Sequence, residues 1–168
     1  MGFFDKMKQM ANAVTGGGAK VTMQIGEAEA NGTIPVTVTA VVGDGNMDIK
    51  AVYVLLRGLE TMKIDPARLK GKAGQLGAMS DPSQLAGQAM GQGRLIEHKE
   101  ESFSGRVDIA GQQTLEGGQT YTFEGQVRLP AGSQGTFVGK HIAHHIQFQG
   151  GLDAPGNDPD SGWLDVLI

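Results

Sequence analysis

Strict alternation of apolar and polar residues in several short stretches is the feature that most constrains this chain. It is cleanest where Tyr121, Phe123, Val127 and Leu129 alternate with Thr122, Glu124, Gln126 and Arg128. A period of two places each set on one face of a β-strand, so one face is buried and the other wet. Val21, Met23 and Ile25 repeat the pattern, as do Ile34, Val36, Val38 and Ala40, then Phe103, Val107 and Ile109, then Ile142, His144, Ile146 and Phe148. The run Ile49 to Arg57 is apolar on both faces around Tyr53 and reads as a central strand covered on both sides. Gly43 to Asn46 and Pro155 to Gly162 read as turns, and Trp163 to Ile168 as a last strand, apolar on both faces. Helices do not alternate with the strands as crossovers would. The predicted class is therefore all-β, an antiparallel β-sandwich or barrel.

Two stretches break the alternation. Phe3, Met7, Met10 and Val14 recur at spacings of four, three and four, with Phe4 and Ala11 beside them, which predicts a short amphipathic helix. Gly16, Gly17 and Gly18 end it, so residues 1–18 read as a helix with a glycine-rich joint and residues 19–168 as one sandwich. The second break is an insertion, placed at 62–94, in which glycine, alanine, glutamine and methionine replace the strand pattern. It contains a repeat: Asp65, Pro66, Leu69, Gly71 and Ala73 recur sixteen residues later as Asp81, Pro82, Leu85, Gly87 and Ala89. Each copy opens with a helix-start signal, aspartate for the free amides and proline at the first helical position. Each interior glycine costs about 1 kcal/mol relative to alanine, so order there needs packing against the domain or a partner.

Composition narrows the function classes. With 168 residues the chain has the length of one domain that folds without disulfides, and it contains no cysteine, which removes thiolate metal sites and cysteine nucleophiles and fits a reducing, cytoplasmic setting. The net charge of -4, with no cluster of basic and aromatic residues, argues against nucleic acid as a partner. The longest apolar run, Ala51 to Leu56, is far below the roughly 20 residues that span a bilayer, and the N-terminus lacks a signal-peptide core.

In the second half, Glu116-Gly117-Gly118, Tyr121-Thr122-Phe123, Leu129-Pro130, Phe137-Val138-Gly139-Lys140-His141, an alternating strand and Leu152-Asp153 follow one another in an order that resembles the N-terminal domain of arrestin-like proteins. Ala51 to Gly58, ending Leu55-Leu56-Arg57-Gly58, is similar to that domain's earlier strand ending in an arginine-glycine pair. Phe3-Phe4, the basic residues after them and the glycine-rich joint resemble more narrowly the bacterial sporulation-control branch of arrestin-like proteins. The resemblance implies an immunoglobulin-like antiparallel sandwich acting as a non-catalytic scaffold or regulator, bound to other proteins through sheet edges and loops, in sporulation or stress control. It implies no catalytic residues and no cofactor. Family members commonly pair two such sandwiches where this chain has length for one. Only Lys20 stands where phosphate-sensing arrestins carry paired basic residues, so phosphopeptide recognition is not implied.

The chemistry-bearing residues read as follows. His141, His144 and His145 form the most enzyme-like cluster, since imidazoles bind zinc and act as bases. On a strand, however, His144 faces away from the other two, and those lie about 13 Å apart, so a shared metal needs His98 from a neighbouring strand. Asp158, Asp160 and Asp165 around Gly162 carry the oxygens of a calcium loop without the EF-hand spacing, and fit turns equally. Gly139-Lys140 lacks the glycine and hydroxyl of a phosphate loop, and Ala131 to Gly135 lacks the first glycine of a nucleophile elbow. Gly2 lacks the partner hydroxyl of a myristoylation signal, because Lys6 stands there. The predicted interface is Phe3, Phe4, Met7 and Met10 on the helix, Met79 and Met90 in the insertion, and Trp163 on the last strand. The expected partners are proteins or a second copy of the chain. Two rival readings are a small metal-dependent enzyme using His98, His141, His144 or His145, and a peripheral membrane protein led by the N-terminal helix, for which Lys6 and Lys8 give little attraction to anionic lipid.

Overall fold

A computed structural model describes residues 14–16, 18–29, 32–64 and 96–168. Most of the expected N-terminal helix, with Phe3, Phe4, Met7 and Met10, and most of the insertion, with Met79 and Met90, lie outside the described residues.

The alternating stretches are strands. One sheet runs in the order β1 (Val14–Gly16), β2 (Ala19–Ile25), β3 (Thr33–Val42), β8 (Thr120–Arg128). The other runs β11 (Leu164–Val166), β10 (Ile142–Asp153), β5 (Ala51–Ile64), β6 (Ile96–Ala110), with β9 (Phe137–Val138) also on β10. A small ribbon of β4 (Met47–Ile49) and β7 (Gln113–Leu115) closes one end, where Ile49 and Leu115 are buried. Every pairing is antiparallel. Among the described residues no helix is found, and the architecture is the expected all-β sandwich.

Burial follows the alternation. Val21, Met23, Ile34, Val36, Val38, Ala40 and Val127 from the first sheet meet Val52, Val54, Leu56, Ile146, Phe148 and Leu152 from the second in one core. The sheets approach closely at two glycines. A Cβ on Gly150 would lie 2.8 Å from Val38 Cγ2 and 3.1 Å from Met23 Sδ, and one on Gly125 would overlap the Ile109 side chain. A larger residue at either position would push the layers apart.

Four boundaries differ from the sequence reading. Val14 starts a strand paired with Val21 instead of sharing a helix face, because β2 offers it an open edge. Residues 62–64 belong to β5, not to an insertion: Met62, Lys63 and Ile64 pair with His98, Glu97 and Ile96, so backbone pairing continues past the end of the apolar pattern. Ile49 lies in the β4–β7 ribbon, separated by Lys50 from the central strand. The last strand is only Leu164–Val166, with Leu167 and Ile168 exposed. Tyr121, Phe123 and Leu129 do face inward, but half-buried, because β8 is the edge of its sheet.

Candidate functional site

The outer half of β5 lies between β6 and β10, which pairs with it as far as Met62, and these strands form an arm of the second sheet. Along β5, Ala51 to Val54 are buried on both faces, whereas Met62 and Lys63 are exposed. The arm, the β9–β10 turn and β10 enclose a groove of about 360 Å³ on the outer face of the second sheet. Parity explains its lining: Leu59, Thr61 and Lys63 from β5, Glu97 and Lys99 from β6, and Ala143, His145 and Gln147 from β10 all project outward, and Val138, Lys140 and His141 form the wall.

Charge is unevenly distributed there. Glu97 Oε1 lies 3.6 Å from Lys99 Nζ, and Asp165 accepts from Gln147 Nε2 at 2.9 Å, while Lys63 and Lys140 have no ion-pair partner among the described residues. Apolar surface adjoins the groove. Val138 is 77% exposed, and Ile142, which also lines the groove, is open to solvent; Phe137 and Met62 are exposed as well, but their register places them with His144 on the other face of the sheet. At the inner end Arg57 donates to Gln147 Oε1 through Nε at 3.0 Å and Nη2 at 2.8 Å, and its guanidinium stacks 3.8 Å over the Trp163 ring. Trp163, the one predicted interface residue within the described range, is therefore an exposed indole held by a cation–π contact beside the groove.

The four histidines do not converge. His98 is exposed on β6, 4.0 Å from Glu100 Oε2; His141 and His145 line the groove; His144 is buried on the opposite face of β10. Among the described residues no three histidine or carboxylate groups are placed to share a metal. The aspartates also serve turns: Asp158 Oδ1 accepts from Ala154 N at 3.0 Å and Asp160 Oδ1 from Gly162 N at 2.7 Å. Asp165 lies apart from both, on β11.

Two further groups were not legible in sequence. Arg106 donates to Asp108 at 2.8 Å and to Asp153 at 3.0 Å, bonds that raise its pKa, and stacks 4.4 Å over Tyr53. Burial raises the Tyr53 pKa above the ordinary phenol value, and the fields of Asp158 and Asp160 add to the shift. The second group is His144, 1% exposed between the rings of Phe103 and Phe137, with centroids 6.3 and 6.1 Å away. Its Nδ1 lies 3.1 Å from the Gly135 carbonyl oxygen and its Nε2 2.8 Å from Ser102 Oγ.

These features define an arrestin-like β-sandwich, with an outward-facing groove beside a projecting arm. Among solved structures the fold is similar to the crystal structure of Spo0M, sporulation control protein, from Bacillus subtilis, with a TM-score of 0.57 and 18% identity over 90% of this chain. The match covers 49% of the Spo0M chain, so this chain spans about half its length. No family model and no curated protein matches the sequence.

Proposed function

We propose that this chain is a non-catalytic regulatory module that binds another protein through the outer face of its second sheet, in sporulation control, the setting named for Spo0M, or in stress control. The observation that carries this reading is the exposed Val138 and Ile142, both lining a groove whose Lys63 and Lys140 have no ion-pair partner among the described residues. Exposed apolar side chains that share one groove and are rimmed by polar groups mark interaction surfaces. The arrestin-like fold supports the reading.

The test is a pull-down from native cells comparing wild type with Val138→Asp. Because Val138 is exposed, the variant should keep its melting temperature and lose one specific set of captured proteins. Identical capture by both would refute the reading. Vesicle co-sedimentation of the same pair separates protein capture from lipid binding.

A further inference from the structure

We propose that Ser102 is an activated nucleophile, a site of covalent modification by acyl or phosphonyl electrophiles, with His144 as its base. A carbonyl oxygen can only accept, so the 3.1 Å contact to Gly135 O places the proton of neutral His144 on Nδ1. Nε2 is then an acceptor, and at 2.8 Å it takes the hydrogen bond donated by Ser102 Oγ. A hydroxyl bonded to an imidazole that is oriented from behind by a third group is the arrangement that turns serine into a nucleophile.

The surroundings fit that role. The β5–β6 register shifts between Gly58 and Leu59, leaving Ser102 as the extra residue between Glu101 and Phe103. Such bulges re-aim side chains. Gly58 makes the room, since a Cβ there would come within 2.3 Å of Ser102 Oγ. Ser102 is exposed while His144 is buried, so an electrophile reaches the hydroxyl and water does not compete for the imidazole. When the hydroxyl proton transfers, the resulting imidazolium lies against two aromatic rings and directly across the ladder from Glu60, a pairing that brings Cβ atoms to about 5 Å. Ser102 Oγ bonds to the electrophilic carbon or phosphorus, the leaving group departs with the bonding pair, and the proton passes to His144 Nε2, which holds it as imidazolium.

A fluorophosphonate is the probe: the O–P bond forms at Ser102 as the P–F bond breaks and fluoride leaves. The intact chain should take up one phosphonyl group, mapped to Ser102 by peptide mass spectrometry, with none on Ser104. Ser102→Ala should abolish uptake. His144→Gln should slow it at least tenfold with the melt retained, and Glu60→Gln should slow it severalfold. Should His144→Gln not fold, wild type labelled in urea replaces it, since reactivity that depends on this geometry must vanish on unfolding. No label on Ser102, or equal labelling of native and unfolded chain, would overturn the proposal.

Discussion

Strands β5 and β6 behave differently over their two halves. From Ala51 to Leu56, β5 packs into the inter-sheet core and is almost completely buried; from Leu59 to Lys63 the hydrogen-bonded ladder continues while burial falls away. β6 shows the same division. Phe103, Val107 and Ile109 pack against the core, while residues 97–101 carry Glu97, His98, Lys99, Glu100 and Glu101. Backbone pairing sets how far a strand runs. The facing layer sets how much a side chain there is worth, because burial drives stability and ladder hydrogen bonds largely replace bonds to water.

The largest effect should come from the core half. Phe148→Ala removes a fully buried ring from between the sheets and should cost about 3–5 kcal/mol in urea melts. Gly150→Ala tests the same region from the other direction, by overpacking. Its new methyl meets Val38 and Met23, and a loss of about 1–3 kcal/mol is expected. A neutral outcome would mean that the layers separate easily and that the two halves differ less than their burial suggests. Phe123→Ala, half-buried at the sheet edge, should cost about 2 kcal/mol, against less than about 0.5 for Glu124→Ala on the wet face. Equal values would break the inward–outward assignment of β8.

The inward faces were legible in the sequence because a period of two needs no tertiary information. Spacing alone places Val21, Val38, Val127 and Phe148 in the interior, and all are buried. The arm was not legible. Met62 and Lys63 carry no alternation, and only their pairing with His98 and Glu97, across more than thirty intervening residues, makes them strand. The groove was hidden for the same reason. Lys63, Lys99 and Lys140 are far apart in sequence, and strand register brings them together. Ser102 and His144 are 42 residues apart and meet because one residue is extra in β6, a bulge that composition does not mark.

The pH dependence sharpens the comparison at the core end of β5. Tyr53 has a raised pKa in the folded state, so between the unfolded value near 10 and its folded value the unfolded chain gives up its proton first. Its contribution to stability is full below about pH 10 and declines above it. Urea melts at pH 9 and pH 11 should show a steeper loss in wild type than in Tyr53→Phe, and parallel losses would remove the phenol from the account. The smallest effect should come from the arm. Replacing residues 66–94 with a short glycine-serine linker should leave a cooperative melt with its midpoint nearly unchanged, since closure cost grows slowly with loop length.

The pairing of Ile64 with Ile96 also makes the arm a practical graft point. Two paired strands present adjacent ends, about 5 Å apart across an antiparallel ladder. Many small domains have neighbouring termini of that kind. A fluorescent protein or an affinity module spliced there would join the chain at the exposed end of β5, away from the buried Ala51 to Leu56 stretch, and would report on the molecule in a living cell while leaving the inter-sheet packing untouched.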